Sequence, residues 1–126
     1  VETFHSDISF PSHKVFFLTH DVKPEDGPLT FCPGSNKFSL QRLWLEYKKS
    51  NEKNRTEKDP FYLINKKEES FLKLNITKGI VPENTLILMN GNVLHKRGSA
   101  ITGAKRSMIF TQFRLNPFSL ETKHDH

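Results

Sequence analysis

The chain has 126 residues, of which 35% are hydrophobic and 26% charged, with 11 Phe, a single Cys and a formal net charge of +5. That length fits one domain with a core of modest margin, and the composition excludes a disordered polymer. No apolar run approaches the roughly 20 residues of a spanning helix, and one cysteine, Cys32, excludes an intrachain disulfide.

Taken in order, the chain reads as strands punctuated by turns, with one polar interruption. Residues 1–9 alternate weakly and carry His5 and Asp7, which alternation along a strand sends to one face while Ser6 points away. Pro11 and Ser12 end that segment. Residues 14–22 form a Val, Phe, Phe, Leu, Thr run that reads as a strand, with Phe16 on one face and Phe17 on the other. Pro24-Glu25-Asp26-Gly27-Pro28 turns the chain into a second strand at Leu29-Thr30-Phe31-Cys32, stopped by Pro33-Gly34-Ser35. Cys32, between Phe31 and Pro33, reads as a buried small hydrophobe rather than a nucleophile.

From Phe38 the period changes. Leu40, Leu43, Trp44 and Tyr47 fall at i, i+3, i+4 and i+7, the stripe of one short helix covering the core, with Ser39 or Ser35 as its cap. Residues 48–69 are mostly charged and read as a polar surface excursion pinned by the knot Pro60-Phe61-Tyr62-Leu63-Ile64. Its mixed charges, Lys48, Lys49, Lys53, Arg55, Lys58, Lys66 and Lys67 among Glu52, Glu57, Asp59, Glu68 and Glu69, hold much of the basic excess. Such interleaving is the signature of solvated surface rather than of a nucleic-acid site. Beyond it, residues 70–77 alternate as an edge strand, residues 85–89 form an apolar strand, and Asn90-Gly91-Asn92 turns the chain.

The last two strands are expected at Val93-Leu94-His95 and at residues 106–114. If they pair as a hairpin centred near Ala100 and Ile101, His95 faces Arg106. The tail from Glu121 has no pattern and is expected to fray. Many short strands with Gly and Pro turns and one short helix predict an all-β single domain over residues 1–126, a jelly-roll or double-sheet barrel, in whose mouth distant residues meet. Two His and one carboxylate converging there make the facial triad that holds non-haem Fe(II) and leaves positions open for chemistry. His5, Asp7 and His95 are the candidates.

The ordered set His5-x-Asp7, Gly27-Pro28-Leu29 running into Pro33-Gly34-Ser35, Leu94-His95 and Arg106 eleven residues later resembles the phytanoyl-CoA dioxygenase family. The likeness runs from about Phe4 to about Arg114. It implies a double-stranded β-helix, with Fe(II) held by His5, Asp7 and His95, and 2-oxoglutarate gripped at its distal carboxylate by Arg106, whose guanidinium can donate two parallel hydrogen bonds. Ser99 and Phe16 are the further residues expected at the cosubstrate. The implied reaction uses O2, releases succinate and CO2, and hydroxylates an unactivated C–H of a small organic or acyl substrate.

Family members carry strands and helices ahead of the His-x-Asp pair, where four residues stand here. The expectation is therefore the C-terminal part of a longer fold, or a truncated core that pairs an exposed sheet edge with a second copy. Asn36 and Arg97 also depart from the family pattern, Arg97 standing where a small hydroxyl residue is common. Two other functions compete: a catalytically inactive jelly-roll binding module, and a nucleic-acid demethylase of the same superfamily. The latter wants a second Arg six residues after Arg106, and position 112 is Gln. With no signal peptide, no membrane-spanning run and a lone thiol, the expected location is cytoplasmic.

Overall fold

In the computed structural model, residues 3–7, 12–51 and 62–114 are described. Eight strands and two helices follow in the order β1 (His5–Ser6), β2 (Ser12–Leu18), β3 (Leu29–Phe31), α1 (Leu40–Ser50), β4 (Tyr62–Leu63), α2 (Lys66–Leu72), β5 (Thr77–Lys78), β6 (Thr85–Asn90), β7 (His95–Arg97) and β8 (Met108–Arg114). They make two antiparallel sheets, one of five strands in the order β4-β1-β7-β3-β5 and one of three in the order β6-β2-β8. The fold is mostly β, as expected.

Alternation places β2 at the centre of the smaller sheet. Ser12, Lys14, Phe16 and Leu18 are buried, while His13, Val15 and Phe17 between them are half-buried on the outer face. Its inner residues meet Met89, Ile87 and Thr85 of β6 and Gln112, Phe110 and Met108 of β8 in register. Phe16, Leu18, Val22, Met89 and Val93 form the core between the sheets, joined by Leu29, Phe31, Val81 and Ile87. A second core lies on the other side of the larger sheet, where Leu45 of α1 packs with Phe4, Cys32, Ile64 and Leu94. Burial of Cys32 fits its reading as a small hydrophobe.

The helical region departs from expectation in three ways. Among the described residues there are two helices rather than one, because Asn65 caps α2 through a box in which its side chain accepts from Glu68 N–H and the Glu68 carboxylate accepts from Asn65 N–H. Within the excursion expected at 48–69, α1 runs to Ser50 and β4 and α2 lie at the far end; residues 52–61 lie outside the described residues. The strand expected over 70–77 is instead the end of α2 and the two-residue β5. Strong local capping outweighs the alternation of Phe71, Leu72, Leu74 and Ile76.

Ser39 is the N-cap of α1, accepting from Arg42 N–H, as one of the two expected candidates. The stripe of that helix faces the wrong way, however. Leu40 is 84% and Tyr47 70% exposed, and the buried residues are Arg42 and Leu45. Arg42 bonds the Glu46 carboxylate at 2.7 Å, Ser35 O at 3.1 Å and Ser6 Oγ at 3.3 Å, so a charged side chain serves as the polar tie between helix and sheet. Trp44 packs on Phe71 of α2, with ring centroids 5.3 Å apart.

The expected hairpin between the last two strands is also absent. β7 pairs with β1 and β3 in the larger sheet, and β8 pairs with β2 in the smaller one. Residues between them form the bridge of Asp26 with Ala100. Gly27 there has φ +68°, and a Cβ on it would lie 2.7 Å from Gly98 O, so the turn needs glycine both for its left-handed backbone and for the close approach of two chains.

Candidate metal centre

Neighbouring strands build the site. β1 and β7 are antiparallel partners with His5 directly opposite His95. Asp7 follows His5 by two residues, on the same side, so three donors from opposite ends of the chain share one volume. All three residues are buried, and one ligand atom from each lies within 4.8 Å of the other two. Ser6, between His5 and Asp7, points the other way toward Arg42.

Backbone carbonyls orient both rings. His5 Nδ1 lies 2.9 Å from Thr3 O and His95 Nδ1 2.8 Å from Val93 O, contacts in which Nδ1–H donates. Each Nε2 then keeps its lone pair and turns to Asp7, at 3.5 Å from Oδ1 for His5 and 3.6 Å from Oδ2 for His95. The ring centroids are 4.5 Å apart. Burial lowers the pKa of His5, and it pushes His95 down to about 4, helped by the charge of Lys14. Both imidazoles are thus neutral at pH 7, the state in which they bind metals. Two such nitrogens and a carboxylate oxygen, oriented from behind by carbonyls, are a donor set that fits a ferrous ion.

Beside the triad is a cavity of about 330 Å³. Its walls are largely apolar, with Phe16, Leu18, Val22, Leu29, Ile87 and Phe110 among them, and Lys96, Arg97 and Arg106 bring positive charge. Arg106 is half-buried, donates from Nη1 to Gly27 O, and has its pKa lowered first by burial and then by nearby Arg97. His5, His95, Phe16 and Arg106 therefore line one cavity, with Asp7 behind the two imidazoles, although His95 and Arg106 lie on no common hairpin. Ser99 is exposed and does not line it.

Lys14 is the residue that sequence reasoning missed. It lies on the inner face of β2, lines the cavity, and its ammonium forms an ion pair with Asp7 Oδ2 while donating to His95 Nε2 at 3.3 Å. The signal was present: Lys14 alternates with Ser12, Phe16 and Leu18, so any register that buries Phe16 also buries Lys14. Burial lowers its pKa to about 8, which still leaves it charged at neutral pH.

Compared with known families, curated proteins and solved structures, the chain matches none. Among the described residues no helix is long and apolar enough to cross a membrane.

Proposed function

We propose that the protein is an Fe(II)- and 2-oxoglutarate-dependent dioxygenase that hydroxylates an unactivated C–H bond of a small organic or acyl substrate. The observation that carries this reading is the convergence of His5, Asp7 and His95, buried and with both Nε2 lone pairs turned to one carboxylate, where the two imidazoles line a cavity that also holds Arg106. The chain path supports it too. β1, β3 and β7 belong to one sheet and β2, β6 and β8 to the other, so the chain crosses repeatedly between facing sheets, as in a double-stranded β-helix.

When bound, Fe(II) with 2-oxoglutarate and O2 supplies the oxidising power, with release of succinate and CO2. The chain's own part is positional. Thr3 O and Val93 O accept from the imidazole Nδ1–H groups, so Nε2 rather than Nδ1 of each ring would hold the metal. Arg106, fixed by Gly27 O, offers its remaining N–H groups to the distal carboxylate of the cosubstrate. Buried Phe16 and Leu18 exclude water from one wall and leave an apolar volume for a reacting C–H.

A second reading, a catalytically inactive binding module on the same fold, is favoured by one observation: the Lys14 ammonium already forms an ion pair with Asp7. Uptake of Fe(II) or Mn(II) and succinate release from 2-oxoglutarate, screened over candidate substrates, separate the two. The oxygenase reading expects His5→Ala and Asp7→Ala each to abolish metal uptake and succinate release. A wild-type chain that takes up neither ion, with or without 2-oxoglutarate, leaves the binding module.

A further inference from the structure

The ion pair of Lys14 has a consequence for how the site is loaded. Lys14 sits mid-strand, with Met89 opposite on β6 and Gln112 opposite on β8, so its backbone is held from both sides and only the side chain is free to move. Its ammonium contacts two of the three groups that would hold a metal, Asp7 and His95. A monocation and a dication a few ångströms apart in a buried site repel strongly, so both cannot keep Asp7. Lys14 lines the cavity, its ammonium 5.8 Å from the centroid of the Phe110 ring, so a displaced ammonium has the cavity walls for surroundings. Among the described residues that line this cavity there is no acidic side chain, and Lys96, Arg97 and Arg106 add further positive charge. A displaced Lys14 is therefore a buried charge without a counterion, a costly state.

The missing anion is what a metal-chelating 2-oxo acid brings. Resting on the dioxygenase reading, we propose that Lys14 couples metal uptake to cosubstrate binding: it gives up Asp7 when the metal enters and then pairs with the carboxylate that the 2-oxo acid places beside the metal. Lys14 thus opposes the metal alone and favours the metal together with an anionic chelator. This is a linkage between two ligands, so each strengthens the other by the same factor.

Titration of the full chain with Mn(II), and of the Mn(II)-saturated chain with 2-oxoglutarate, tests the coupling in wild type and in Lys14→Met. The expected changes have opposite signs: Mn(II) alone binds at least about tenfold tighter to the variant, and 2-oxoglutarate at saturating Mn(II) binds about tenfold weaker. Lys14→Gln, neutral and hydrogen-bonding, serves as the second variant should Lys14→Met fail to fold, with the same two signs expected. Both affinities weakened together is the mark of a merely structural lysine and overturns the coupling, as do two unchanged affinities. If wild type binds Mn(II) without the opposite-signed response, this inference alone fails. If neither wild type nor either variant binds Mn(II), the metal reading falls and the coupling with it.

Discussion

At the scale of single residues, His95 ties function to acid stability. Burial holds its pKa near 4 in the folded chain against 6.5 when exposed. Between these values the unfolded chain takes up a proton that the folded one refuses, so stability is complete above about pH 6.5 and falls as pH drops through that window. His5, shifted the same way, adds to the effect. The slope is at most about 1.4 kcal/mol per pH unit for each ring. Chemical denaturation of the metal-free protein at pH 7, 6 and 5 is expected to give falling stability, with a shallower fall in His95→Gln; a flat profile contradicts the buried neutral imidazole. Arg106 makes a separate prediction. A lysine in its place keeps the charge and loses the paired donors, so Arg106→Lys is expected to raise the KM for 2-oxoglutarate about tenfold or more while moving that for substrate little. Equal rises in steady-state kinetics remove Arg106 from that role.

At the scale of elements, the turn at Gly27 links strand geometry to the site. Its carbonyl holds the Arg106 guanidinium, its φ is positive, and Gly98 O leaves no room for a Cβ. Gly27→Ala is expected to cost about 2 kcal/mol or more in thermal or denaturant unfolding. It should also weaken 2-oxoglutarate binding, because the carbonyl that fixes Arg106 moves. A variant as stable as wild type refutes the close approach. Helix α1 carries a different lesson. The spacing of Leu40, Leu43, Trp44 and Tyr47 correctly marked a helix, but periodicity says only which residues share a face. Which face is covered depends on what packs against it, and here Leu45 and the four-way tied Arg42 face the sheet.

At the scale of the whole molecule, the outer face of the three-stranded sheet is apolar. Leu86, Phe17 and Ile109 form one row across it and Leu88, Val15 and Thr111 the next. Leu88 is 67% and Ile109 63% exposed, so this sheet is apolar on both faces, unlike a sheet with one solvated side. Exposed apolar area of this kind drives association and precipitation. The double variant Leu88→Glu, Ile109→Lys is expected to suppress concentration-dependent association in sedimentation velocity while changing unfolding stability by about 1 kcal/mol or less, since neither side chain is buried. Unaltered association would show that this face has no part in it.

Local stereochemistry wrote much of the site into the sequence. The two-residue period of a strand put His5 and Asp7 on one face, turn residues bounded β3, and a hydroxyl ahead of an apolar stripe started α1. Strand β2 instead begins at Ser12 and ends at Leu18, short of the turn expected to close it. Recognition of His95 and Arg106 rested on order and spacing along the chain, and the hairpin inferred from that spacing does not exist. Tertiary structure decided that His95 lies beside His5 because β7 inserts between β1 and β3, which of the two apolar faces of α1 and the smaller sheet is covered, and that Lys14 reaches into the triad. Such facts depend on long-range strand pairing, whose register is set by which surfaces can be buried together. A local pattern constrains which side chains point the same way, and only the assembled sheets determine what they point at.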